Sequence, residues 1–167
     1  SSLTSLQVSK METDDIAAIT TDQITALKTA QIAAMTTAQV MALTTGQSTT
    51  LTSTQLAALT TAQVAKMETK DLVAITTDQI TSLTTAQMAA LTTDQVVALT
   101  TDQAATLTTK QLASLTTAQL AKMETDDVAV LTTSQLTGLT TGQVTSMTSA
   151  QIVALTTDQV AALSTLQ

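Results

Sequence analysis

The sequence predicts an all-α superhelical solenoid built from very short capped helices, one in every eight residues. Three observations lead there. An octad typified by Leu155-Thr156-Thr157-Asp158-Gln159-Val160-Ala161-Ala162 recurs from Leu3 onward without an inserted or deleted residue. Its period suits no continuous helix, and its first half carries the signals that start one.

With octad positions lettered a to h from Leu155, position a is Leu, Ile or Met in every copy, c is Thr or Ser, and e is Gln or Asp. Position f is a sizeable aliphatic or Met almost throughout, and g and h are mostly small. So strict a repeat marks a quasi-one-dimensional fold in which each unit meets only its neighbours. In a continuous α-helix eight residues turn through about 800°, so position a would drift about 80° per copy and no apolar stripe would survive. A coiled coil needs other periods. The helix must restart in each octad.

Thr at b and Gln at e, as in Thr156 and Gln159, have the spacing of a capping box. Leu at a and Val at f fall where a hydrophobic staple sits. Asp at d, as in Asp22, Asp78, Asp94, Asp102 and Asp158, lies in the first turn, where a negative charge suits the helix dipole. Helices this short are unstable alone, so stacking must hold them. The competing fold is a β-solenoid, because Thr, Val and Ile favour strands. Against it, the chain has no Pro, no Asn and only three glycines, Gly46, Gly138 and Gly142, the residues on which tight β-corners rely.

A longer period overlies the octad. Lys10-Met11-Glu12-Thr13-Asp14-Asp15 returns as Lys66-Met67-Glu68-Thr69-Lys70-Asp71 and as Lys122-Met123-Glu124-Thr125-Asp126-Asp127, seven octads further on each time. Ser48 and Ala104, the two weak f positions, keep the same spacing. The chain therefore reads as a single domain, 1–167, holding three seven-octad units at 3–58, 59–114 and 115–167. Two accounts of the spacing are compatible: duplication of a seven-octad block, and completion of a whole number of superhelical turns by seven octads. Leu3 and Gln167 are ordinary repeat residues, so the array is expected to continue into an identical neighbour or a longer chain. Ser48 and Ala104 mark the octads expected to be weakest, since an unfilled cavity at such a site costs about 2–4 kcal/mol.

Cys, His, Trp, Tyr, Phe and Arg are absent. The common nucleophile–base pairs and zinc, haem or iron–sulfur ligand sets are thereby missing; no enzyme activity and no cofactor is expected. A net charge of −7, with no aromatic residue to stack on bases, disfavours nucleic acid. No apolar run approaches membrane-spanning length, so no membrane insertion is expected. The candidate ligand sets are the acidic triplets Glu12, Asp14, Asp15 and Glu124, Asp126, Asp127, whose carboxylates suit Ca²⁺. Lys70 breaks the pattern in the middle copy. The favoured reading is a local ion pair, because Glu at b and Asp at e always follow Lys at h (Lys10, Lys66, Lys122). The Thr rows at b and c resemble the flat hydroxyl arrays of ice-binding faces; helix capping is the simpler role. Met at a substitutes for Leu in the core.

Strings such as Leu115-Thr116-Thr117-Ala118-Gln119-Leu120-Ala121 and the octad from Leu155 resemble the LTTxQ[IV]xA octapeptide arrays of very large bacterial secreted or surface proteins, often described as adhesin-like. The resemblance covers nearly the whole chain. It implies an extracellular or cell-surface structural segment, a stalk or a self-assembling filament subunit, with a second copy, a cell surface or a glycan as partner. The alternative is a repeat binding module for ice, glycan or calcium.

Overall fold

A computed structural model describes residues 3–163. Among them are twenty α-helices of four to six residues and no strand. The chain divides into two compact units, Ser1–Leu83 and Thr84–Gln167. The first holds α1 (Ser5–Ser9), α2 (Thr13–Ala18), α3 (Thr21–Thr25), α4 (Thr29–Ala33), α5 (Thr37–Met41), α6 (Thr45–Thr50), α7 (Ser53–Ala58), α8 (Thr61–Val64), α9 (Thr69–Ala74) and α10 (Thr77–Thr81). The second holds α11 (Thr85–Ala90), α12 (Thr93–Val97), α13 (Thr101–Thr106), α14 (Thr109–Ser114), α15 (Thr117–Leu120), α16 (Thr125–Ala129), α17 (Thr133–Thr137), α18 (Thr141–Thr145), α19 (Ser149–Ala154) and α20 (Thr157–Ala162).

Where Thr stands at b and Gln at e, the helix starts where the capping box places it. In α6 the Thr44 hydroxyl accepts from the amide of Gln47, and the Gln47 Oε1 accepts from the amide of Thr44 at 2.7 Å. Two of the amides that a helix N-terminus leaves unpaired are satisfied at once. Where Lys28 replaces the b threonine, only the second bond survives, from the Lys28 amide to Gln31 Oε1.

The helices stop without a left-handed cap, and Gly138 at the end of α17 keeps φ −77°. Residue a leaves the helical region, as Leu51 does at φ −55° and ψ 131°, and residue b is extended, as Thr52 is at ψ 157°. Two extended residues thus separate successive helices. No described residue has a positive φ, which is why so few glycines and no asparagine suffice. Gly142 in particular lies exposed in α18 with nothing within 4 Å of an added Cβ. Gly142→Ala is therefore expected to stabilise the second unit by about 0.5–1 kcal/mol through the helix preference for alanine, measured as a higher urea midpoint; a lower midpoint would contradict the backbone geometry.

Within each unit a helix packs on the third one after it: α1 on α4, α3 on α6 and α4 on α7 in the first, α11 on α14 and α16 on α19 in the second. Positions a, e and f face inward. Ile16, Ile24, Leu56, Leu72 and Ile80 at f are fully buried, and so are Met88, Leu112 and Leu136 in the second unit. Burying each such side chain contributes about 1.5–3 kcal/mol. The a-row methionines Met35, Met67, Met123 and Met147 are buried with the leucines. The fold is therefore the all-α solenoid expected, and the β-solenoid alternative fails: extended residues at a and b come in pairs too short to build a ladder.

The weak octads hold the same position in the stack as the rest. Ser48 and Ala104 are fully buried at f, and both α6 and α13 run to six residues. The Ser48 hydroxyl has no hydrogen-bond partner. Removing a buried, unpaired hydroxyl recovers its desolvation cost, so Ser48→Ala is expected to be neutral or stabilising by about 1 kcal/mol, read by chemical denaturation; a loss above that size would show that the hydroxyl has a partner in solution.

Candidate functional site

The residues with polar chemistry inside the stack are those at e. The helix carries e one turn past the cap, so its side chain points into the stack, where Gln39, Gln47, Gln55 and Gln63 are 2 % exposed. Each of these four uses its Oε1 on its own N-cap and its Nε2 on an earlier part of the chain. Gln47 Nε2 donates to the carbonyls of Ile16 and Ile19, both at 2.7 Å. Gln55 reaches Ile24 and Leu27, and Gln63 reaches Ile32 and Met35. In the second unit Gln151 reaches Leu120 and Met123, and Gln159 reaches Leu131.

The a-row carbonyl always lies 28 residues back. Each bond thus runs from e of one octad to a of the octad three before it, in keeping with the packing of each helix on the third one after it. The f carbonyls also accept from the a amide, as Ile16 does from Ile19 at 3.3 Å, whereas the a carbonyls lie past the helix end, so the glutamine row closes the helix ends that it reaches. The capping role was visible in sequence; this second role was not, because nothing inside one octad says which earlier octad it meets.

Asp71 and Asp127 interrupt the row, and both are buried. A carboxylate cannot donate to a carbonyl, so each turns to a threonine hydroxyl on the preceding turn. Thr45 Oγ1 donates to Asp71 Oδ1 at 2.6 Å, and Thr101 donates to Asp127. Asp127 Oδ2 is left with no partner. Burial pushes the Asp127 carboxyl above its usual range; the Thr101 bond opposes this, and the charges of Glu124 and Asp126 add to it.

The acidic triplets divide. Glu124 and Asp126 are exposed while Asp127 points inward; Glu12, Asp14 and Asp15 are all exposed, with Asp15 Oδ2 accepting from the Glu12 amide at 3.3 Å. Among the described residues no three such side chains converge into a set able to hold a metal. The expected ion pairs of Lys10, Lys66 and Lys122 do not form among the described residues; the pair that does form joins Lys70 to Glu68 at 2.5 Å. Glu at b serves as N-cap and turns toward its own first turn, where d is Lys only in the middle copy. The hydrogen bond and charge of Glu68 raise the Lys70 ammonium above its ordinary value.

The first turn also leaves a hollow of about 450 Å³, lined by the a-row residues Leu3, Met11, Ile19 and Leu27 together with Asp22, Gln23 and Ala26.

The model of the ALTTAQ repeat matches residues 8–45, 64–101, 120–157 and 128–165, well over half of the chain. This chain belongs to the ALTTAQ repeat family. The matched stretches of the ALTTAQ array that begin at 8, 64 and 120 follow one another at seven-octad steps, in phase with the Lys-Met-Glu-Thr segments. No curated protein matches the ALTTAQ chain. None of its described helices is long and apolar enough to cross a membrane.

Proposed function

We propose that this chain is a non-enzymatic structural element of a bacterial secreted or cell-surface protein, a spacer or stalk that holds other parts at a distance. One observation carries the proposal. The polar groups that recur in every octad are spent on cohesion: the b threonine caps its helix, and the e glutamine joins that cap to carbonyls one turn earlier. Each added octad thereby adds one more nearest-neighbour interface, the arrangement in which stability scales with repeat number.

Chains of one, two and three seven-octad blocks test this by urea denaturation. The midpoint is expected to rise with each block; equal midpoints would overturn the cohesive role. Antibodies raised to the chain are expected to label intact cells of the parent bacterium, and labelling only after permeabilisation would overturn the surface location.

A further inference from the structure

Inside the second unit the glutamine row has a fixed reach. Gln119 donates to the carbonyls of Met88 and Leu91, and Gln135 to those of Ala104 and Leu107, 31 and 28 residues back each time. Asp127 holds position e of the octad between them. It sits in the same register, because its bond from Thr101 spans the same 26 residues that separate Thr45 from Asp71. The row's offsets from Asp127 lead to the carbonyls of Val96 and Leu99. Val96 keeps a bond from the Leu99 amide at 3.3 Å, while the Leu99 carbonyl loses the side-chain amide that its counterparts Leu91 and Leu107 receive.

Glutamine brings N–H donors to this corner of the stack. Aspartate is one carbon shorter and, when ionised, brings oxygen only; its Oδ2, on a residue 3 % exposed, has no partner. Ala104, one helical turn along α13 from Thr101 and fully buried, adds only a methyl on the same side. The two units differ in charge here. In the first, Lys70 stands beside the equivalent Asp71; its ammonium is held by the hydrogen bond and charge of Glu68 and also feels the charge of Asp71. In the second, position 126 is Asp, and the charges acting on Asp127 are the negative ones of Glu124 and Asp126.

We propose that the joint between α13 and α16 binds a monovalent cation of sodium's size, ligated by Asp127 Oδ2, the carbonyls of Leu99 and Val96 and the Thr101 hydroxyl. The ion stands among these oxygens as the Nε2 group does in the flanking octads. One buried carboxylate is neutralised by one positive charge, whereas calcium takes about six to eight oxygens, commonly from several carboxylates. Ion and proton compete for the same oxygen. The proton-linked behaviour of Asp127 therefore belongs to buffers whose cation is too large to enter, and the ion-linked behaviour to sodium buffers above the carboxylate range.

Urea denaturation of the whole chain at mildly alkaline pH, in equal concentrations of sodium chloride and tetramethylammonium chloride, tests the site. A ligand bound only by the folded state raises the folding constant about tenfold when present at ten times its dissociation constant. The parent chain is therefore expected to unfold at higher urea in sodium, by a margin that grows with the logarithm of its concentration. Asp127→Gln fills the position with the row's own residue, so it should fold, and its midpoint is expected to be the same in both salts. Asp71→Gln, at the equivalent place in the first unit, is expected to keep the full sodium effect. Equal midpoints for the parent chain in the two salts, a sodium effect undiminished by Asp127→Gln, or its loss in Asp71→Gln would each overturn the site. A larger gain in calcium chloride than in sodium chloride at matched ionic strength would overturn the monovalent assignment. The spacer role is tested by block number and stands apart from all of these results.

Discussion

Gln47→Met is expected to destabilise the first unit by about 2–5 kcal/mol, whereas Gln23→Met is expected to cost about 0.5–1 kcal/mol. Methionine nearly matches glutamine in length and shape, so the exchange opens no large cavity and isolates the hydrogen bonds. At position 47 it removes the acceptor for the Thr44 amide and the donor to the Ile16 and Ile19 carbonyls. Ile16 keeps a bond from the Ile19 amide at 3.3 Å. The Thr44 amide and the Ile19 carbonyl lose a buried partner, at about 1–3 kcal/mol for each unsatisfied group. At position 23 only the cap of Thr20 is affected, and water replaces it because the side chain is exposed.

Against a total stability of about 5–15 kcal/mol for a domain, the larger loss should shift the urea midpoint plainly. Gln47→Glu separates the two roles, since glutamate still accepts from Thr44 yet presents charge to two carbonyl oxygens. Its cost is expected to shrink as the pH falls and its carboxyl gains a proton to donate. Equal losses at positions 23 and 47 would mean that capping alone holds the octads together.

The parts of this fold that depend on one octad were readable from composition and spacing. The capping boxes at Thr20 and Gln23 or Thr156 and Gln159, the buried a and f positions, and the restart in each copy all follow from local chemistry. Longer-range features were less accessible. The stacking of each octad on the third one before it is set by the meeting of Gln47 with Ile19 or Gln151 with Met123, and every octad presents the same residues to such a meeting. The lysines misled for a related reason: Lys66 and Glu68 are near in sequence, but Glu68 follows its helix toward Lys70. Asp127 read as one of three candidate ligands because nothing in its own octad separates an outward d from an inward e beyond the glutamine that usually occupies it.

That inward carboxylate should make the second unit sensitive to pH. Asp127 is raised above its ordinary value of 3.8 by burial, against the Thr101 bond and with the Glu124 and Asp126 charges. The folded unit therefore holds this proton more tightly than the unfolded chain does. Its stabilising share is fully present below the ordinary carboxylate range and is lost as the pH rises through the folded-state value. When ionised, the group is a buried charge with one unpartnered oxygen. Asp127→Asn removes the charge and should gain about 1 kcal/mol at neutral pH. Asp127→Gln also restores the amide that the rest of the row uses on a carbonyl one turn back, and should gain about 2–3 kcal/mol. Both advantages over the parent chain are expected to narrow steadily on acidification, because the parent then protonates Asp127 and recovers the same share. Urea midpoints of the three chains from neutral to acid pH measure this. A constant difference would show that charge is irrelevant and packing alone separates them, while a difference that widens in acid would mean Asp127 is held ionised, by a donor to its Oδ2.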